Sequence, residues 1–170
     1  MIKTLSRMIR TGILTEKVPQ VPDANFVTDD VHRQICRILG RALCIRHVDA
    51  GSCNACELEI QALNNPYYNI EGMGIKFVAS PRHADLLLVT GPVSVNMEEA
   101  LKRTFDAVPD PKMVVAVGEC SACGGTFGKS YASRGAVADT IPVNQSVKGC
   151  PPTPTAILLA ILQTIQSTIV

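Results

Sequence analysis

The chain has 170 residues, 46% of them hydrophobic, with four Phe, three Tyr, no Trp and seven Cys. One domain of ordinary size fits that length and can bury a full core, so the cysteines are not the disulfide staples of a mini-protein. Charged residues make up 18%, below the roughly 25% of typical soluble domains, and 16 basic against 15 acidic groups leave +1, without the basic excess of a dedicated nucleic-acid binder.

Residues 1–46 hold eight Lys/Arg and four Asp/Glu, whereas the remainder holds eight and eleven, so the first segment is a separate electrostatic unit. Low charge with high apolarity fits either a surface covered by partner subunits or an ordinary buried sheet. Lys3, Arg7 and Arg10 interrupt the apolar residues after Met1, which removes the pattern of a signal peptide. Ile2, Leu5, Met8 and Ile9 lie near one helical face, giving either a short basic amphipathic helix on a membrane or protein surface, or a frayed terminus. Residues 17–26, with Pro19 and Pro22, read as an extended linker.

A helix follows, with Thr28 or Asp29 as its cap and Val31, Ile35, Ile38, Leu39 and Ala42 on one stripe. Short apolar runs at Leu43 to Val48, Ile75 to Val78, Leu86 to Thr90 and Met113 to Val117 read as buried parallel strands. Between the last two, Met97, Ala100, Leu101, Thr104, Phe105 and Val108 form a helical stripe that Pro109, Asp110 and Pro111 end. The final apolar stretch, Thr155 to Val170, follows Pro151 and Pro152, which suit a helix start. It contains Gln163, Thr164, Gln166, Ser167 and Thr168, and falls short of the roughly 20 apolar residues of a spanning helix. The expectation is a soluble chain from a reducing compartment, with cysteines as thiols or metal ligands. Strands alternating with helices imply an open α/β sheet whose loops at the carboxyl ends of the strands hold ligands.

The cysteines meet that rule. Cys53 and Cys56 lie in Asp49-Ala-Gly-Ser-Cys-Asn-Ala-Cys-Glu57, after the first strand; Cys120 lies in Gly118-Glu-Cys-Ser-Ala-Cys-Gly-Gly125, after the run Met113 to Val117. Cys150 lies in Val147-Lys-Gly-Cys-Pro-Pro-Thr-Pro154, before the last helix. Three such loops can converge on one side of the sheet, and a 4Fe-4S cluster needs four thiolates brought there by glycine and proline turns. Other readings stand beside it. Two Cys-x-x-Cys pairs, Cys53/Cys56 and Cys120/Cys123, suggest a zinc-stabilised interaction module, but the 63 residues between them exceed the roughly 15 to 20 of a zinc ribbon, and Cys150 is left idle. A thioredoxin-like dithiol uses one pair and leaves the other loops unexplained. Gly124-Gly-Thr-Phe-Gly-Lys-Ser130 ends like a phosphate loop, but Cys123 stands where its first glycine belongs. Buried structural thiols suit Cys36, on the helical flank, and Cys44, inside a strand.

At the three Cys loops the chain resembles the small subunit of nickel-iron hydrogenases, above all the energy-converting, membrane-associated branch that includes formate hydrogenlyase and is related to the terminal-cluster subunit of respiratory complex I. The segments carrying the resemblance are His47 to Glu59, Gly74 to Val78, Ser80 to Asp85, Thr90 to Pro92, Gly118 to Cys120 and Gly149 to Pro154, within residues 28–160. The resemblance implies a flavodoxin-like open parallel sheet flanked by helices over residues 43–170, preceded by a helical extension at 1–42. It implies one 4Fe-4S cluster on Cys53, Cys56, Cys120 and Cys150, relaying electrons between a ferredoxin-like subunit and a large subunit that holds the nickel-iron centre. The partners then include membrane subunits, with no nucleic acid, and the place is the cytoplasmic side of the cell membrane, peripherally. Cys-Asn-Ala-Cys, in place of adjacent cysteines, favours the hydrogenase side over complex I; an equivalent subunit of a complex-I-like oxidoreductase without nickel is the other reading. Cys123 departs from the family pattern: it lines the cluster pocket, takes the place of Cys120 as a ligand, or is a buried thiol, and the last is the expectation. Glu59 matches an acidic position of relatives and is a candidate for proton or conformational coupling. His47 and His83 are expected to be structural, Asp49 to cap the loop before Cys53, and backbone N–H groups near Gly51, Gly118 and Gly149 to point at the cluster.

Overall fold

The computed structural model describes residues 24–169, together with Lys3, Ser6 and Arg10, whose backbone is helical. The apolar positions of the amphipathic start and the linker as far as residue 23 lie outside the described residues. Helix α1 (Ala24–Leu39) begins earlier than the Thr28 or Asp29 cap predicts and takes in residues 24–26 of the predicted linker. Ile35 is its fully buried anchor, with Ile38 and Leu39 packed beside it. Gly40 ends it at φ 64°, donating its N–H to the Cys36 carbonyl at 3.0 Å.

The remaining elements are β1 (Leu43–Asp49), α2 (Ala55–Ala62), β2 (Ile75–Phe77), β3 (Leu86–Thr90), β4 (Val93–Ser94), α3 (Val95–Ala107), β5 (Met113–Val117), α4 (Glu119–Cys123), β6 (Ser133–Gly135), β7 (Gln145–Val147) and α5 (Pro154–Ile169). Five strands form one sheet in the order β2-β1-β3-β5-β7, every pair parallel. This is the flavodoxin-like winding, in which the chain leaves β1 to one side and returns on the other. The four apolar runs read from the sequence are β1, β2, β3 and β5. β7 and the small antiparallel pair β4 and β6 were not anticipated, because two or three residues such as Gln-Ser-Val give no apolar run.

Alternation along the strands makes two cores. Leu43, Ile45, Leu86, Leu88, Met113 and Val115 face α1, α2 and α5, where Ile35, Ile60, Ile157 and Ile161 meet them. Leu87, Val89, Val114 and Ala116 face the other way, against Leu101 of α3, Val108 and Val137. Both faces are covered, which is why β3 and β5 are buried at every position. Asp85 fastens the start of β1: its Oδ2 accepts the Cys44 N–H at 2.9 Å and an Arg41 N–H at 3.0 Å. Among the described residues no helix is long and apolar enough to cross a membrane.

Candidate metal centre

Covered faces leave the carboxyl ends of the strands as the place for a site. After β1, Asp49 Oδ1 accepts the N–H groups of Gly51 and Ser52, both at 2.8 Å, and Ser52 Oγ accepts that of Asn54 at 3.1 Å. Asp49 thus caps the loop as expected. Asn54, at φ 72°, turns the chain into α2, leaving Cys53 exposed on the loop and Cys56 buried in the first turn. After β5, Gly118 leads directly into α4, whose second residue is Cys120; buried Ser121 donates its hydroxyl to the Gly118 carbonyl at 2.9 Å. The pairing of β5 with β7 runs on into the loops: Gly118 N–H donates to Val147 O at 2.8 Å, and Glu119 N–H to Gly149 O at 3.0 Å. These bonds bind the Cys120 segment to the Cys150 segment.

Gly118 also receives the first loop. A Cβ built there would lie 2.7 Å from Cys56 Sγ and 3.5 Å from the Gly149 carbonyl oxygen. Only a glycine lets the Cys56 thiol, the β5 loop and the β7 loop meet at that point.

The thiols sense one another. Burial, then the neighbouring Glu57, then Cys53, Cys120 and Cys150 push the Cys56 thiol up to about 12. Cys120 is also raised, first by burial and then by Cys150, Cys53, Cys123 and Glu119. A site that resists placing several thiolates together lacks a counter-charge, and a cationic metal centre is what reverses that resistance, since a coordinating thiol is deprotonated outright. The donor set and the glycine cradle therefore fit an iron-sulfur group. Among the described residues no three His, Cys, Asp or Glu side chains gather closely enough to hold a single metal ion.

Cys53, Cys56, Cys120 and Cys150 are thus brought to one end of the sheet. Cys123 is not the buried thiol expected: it ends α4 exposed, with Sγ donating to the Glu119 carbonyl at 3.2 Å. Cys36 is likewise exposed, 3.6 Å from His32 Nε2, because the stripe centred on Ile35 turns the next position outward. Cys44 is half-buried. The N–H groups of Gly51 and Gly118 do not point at a ligand, being used by Asp49 Oδ1 and Val147 O.

Glu59 is half-buried, while the acid enclosed beside the thiols is Glu57, at 6% exposure and with neither carboxylate oxygen hydrogen-bonded. Facing it is His47, with Nε2 3.9 Å from Glu57 Oε1 and 3.1 Å from Thr90 Oγ1. Burial holds His47 below its ordinary value despite the opposing pull of Glu57 and Asp49, so the contact is not an ion pair at neutral pH. His47 is half-buried between Thr90 and Glu57, and His83 is exposed. The sequence signal for Glu57 is its spacing: it stands three residues before buried Ile60, on the inward face of α2. Arg46 and His47 open onto a cavity of about 230 Å³ shared with Gln61 and Asn64.

Residues 53–164 match the model of a family described as NADH ubiquinone oxidoreductase, 20 Kd subunit. A probable membrane-bound hydrogenase subunit of Pyrococcus furiosus is 44% identical over 133 residues, 78% of this chain and 80% of the relative. Formate hydrogenlyase subunit 7 of Escherichia coli is 38% identical over 141 residues, 83% of this chain but 54% of the relative. Among solved structures, a chain of the membrane-bound sulfane sulfur reductase, an archaeal respiratory membrane complex, superposes with a TM-score of 0.67 at 29% identity, over 82% of this chain and 76% of that one.

Proposed function

Because the chain belongs to the family of the NADH ubiquinone oxidoreductase 20 Kd subunit, we propose that it is the electron-transfer subunit of a membrane-bound nickel-iron hydrogenase complex, holding one 4Fe-4S cluster. Cys53, Cys56, Cys120 and Cys150 are its ligands. The observation that carries this reading is the convergence of three loops, from β1, β5 and β7, around Gly118, where Cys53 and Cys150 stand close enough to help raise the Cys56 and Cys120 thiols. When bound, the cluster supplies one-electron transfer at a potential set by burial and by hydrogen bonds to its sulfurs.

The chain's own residues hold and screen that group. Cys56 and Gly118 close its inner side, while Cys53 and Cys150 lie at the surface, where a partner completes the enclosure. Leu58 at 57% exposure, Phe127 at 62% and Tyr131 at 99% stand on the segments that follow Cys56 and Cys123. In this reading these exposed apolar side chains, on the segments that continue the cysteine loops, belong to the surface a partner covers. That face receives the large subunit, which carries the nickel-iron centre; a ferredoxin-like subunit passes electrons on, and membrane subunits anchor the complex on the cytoplasmic side. The Cys-Asn-Ala-Cys spacing of Cys53 and Cys56 and the likeness to the Pyrococcus furiosus hydrogenase subunit support the nickel-bearing assignment, and a complex-I-like oxidoreductase without nickel is the second reading.

Anaerobic purification of the intact complex, with iron, sulfide and nickel analysis and low-temperature EPR, tests it. Iron and sulfide in cluster proportion, lost or altered in Cys150→Ala, are expected. Zinc without iron, or no change in Cys150→Ala, would overturn the cluster; iron without nickel would move the chain to the complex-I-like reading.

A further inference from the structure

Cys123 has no part in the proposed ligand set, yet it shares α4 with Cys120, three positions further along the helix. We propose that Cys120 and Cys123 are a modification site, a dithiol that closes to a disulfide on the cluster-free chain by exchange with a low-molecular-weight disulfide of the glutathione type. On a helix, residues three apart share a face and their Cα atoms are about 5 Å apart, inside the roughly 4.4–6.8 Å that a disulfide spans. α4 ends at Cys123, and Gly124 at φ 87° follows it, so the exposed sulfur has one bond to give up on closure, the 3.2 Å contact it donates to the Glu119 carbonyl. Cys120 is half-buried and Cys123 open, an accessible attacking thiol backed by a sheltered resolving one. The other Cys-x-x-Cys pair lacks these properties: Cys53 lies outside α2, Asn54 between the two is left-handed, and Cys56 is buried.

The exchange balances without another reactant. The Cys123 thiolate attacks one sulfur of the small disulfide, forms a mixed disulfide and releases one thiol. Cys120 then attacks the Cys123 sulfur and releases the second thiol. The cysteine pair is oxidised by two electrons, the small disulfide is reduced by two, and the two cysteine protons end on the released thiols. The chemistry stands on α4 alone; its consequence, that the closed pair withholds a ligand from the cluster, rests on the function proposed above.

The test uses the full chain purified free of iron under reducing conditions, then treated anaerobically with oxidised glutathione and digested with trypsin without reduction. Peptide 113–129 contains both cysteines and is expected two hydrogens lighter and resistant to alkylation. In Cys123→Ser, whose exposed position tolerates the change, the same peptide carries a free or glutathionylated Cys120. Iron and sulfide reconstitution of the oxidised chain is expected to fail until reductant is added, whereas Cys123→Ser loads after reductive removal of any adduct and without the closed pair. Two free thiols, separate adducts on both cysteines, or linkage of Cys120 to Cys53 or Cys150 would overturn the proposal. A Cys120–Cys123 disulfide in a chain that takes up no iron even when reduced would leave it standing and sink the cluster reading instead.

Discussion

Gly118→Ala places a methyl group 2.7 Å from Cys56 Sγ, on a backbone at φ 92° and ψ 161°. That backbone region is essentially reserved for glycine, so the side chain alone costs about 1–3 kcal/mol. Cys56 is buried and cannot simply swing into solvent; forcing its sulfur or the β7 loop aside adds an overpacking penalty of about 1–3 kcal/mol. The sum, roughly 2–6 kcal/mol, lowers Tm by at least about 4 °C for a chain of this size. The control is Gly40→Ala, where φ is 64° but nothing lies within 4 Å, so it carries a backbone penalty of only about 1–2 kcal/mol. Thermal unfolding of the cluster-free chains and iron content after anaerobic reconstitution should separate the two: Gly40→Ala keeps its iron, and Gly118→Ala loses both more stability and its iron. Equal Tm and equal iron in the two variants would refute the role of Gly118 as the meeting point of the loops.

The neutral His47 ring sets a pH dependence. Its folded pKa lies below the 6.5 of the unfolded chain, so the unfolded state binds more protons between those values; the ring's contribution is complete above about pH 6.5 and lost as pH falls through the folded pKa. His47→Gln should flatten the fall in Tm between about pH 7 and about pH 5, and an unchanged slope would refute this. Asp85→Ala should cost about 1–3 kcal/mol in urea unfolding because it orphans the Cys44 N–H. Arg41→Ala, at an exposed guanidinium, should cost less than about 1 kcal/mol, and equal losses would show that the ion pair, not the backbone bond, holds β1. Glu57→Gln removes an ionisable group from a buried place where neither oxygen is hydrogen-bonded and should raise the Tm of the cluster-free chain, whereas Glu59→Gln should leave it unchanged. A fall in Tm for Glu57→Gln would refute that account.

The parts of the fold carried by side-chain burial were readable in advance. Leu86 to Thr90 and Met113 to Val117 are continuous apolar runs because both of their faces are covered, and Leu101 marks α3 by the same logic. Elements held by backbone bonds were not: β7 is Gln-Ser-Val, and only its pairing with β5 makes it a strand. The thiols divide in the same way. Gly-rich turns after strands lead Cys53, Cys56, Cys120 and Cys150 to one end of the sheet, as the sequence implies, but whether Cys36 and Cys123 face inward depends on the rotation of α1 and α4 about their axes, which one apolar stripe fixes only loosely. Resemblance marks Glu59 by a shared position, whereas the enclosure of Glu57 is set by burial in the first turn of α2 and by His47 3.9 Å away, neither of which a motif carries.

The three loops do not hang from equal supports. β1 and β5 each have a strand on both sides, whereas β7 closes the sheet and is paired with β5 alone, over three residues. The Cys150 loop is therefore carried by the outermost plank of the platform. Lifting that edge breaks few backbone bonds and leaves the Cys53, Cys56 and Cys120 segments seated on the interior strands. Of the three segments, the one bearing Cys150 is thus the one whose seat depends on a single neighbouring strand, and the bonds from Gly118 and Glu119 to Val147 and Gly149 carry that seat past the end of β7.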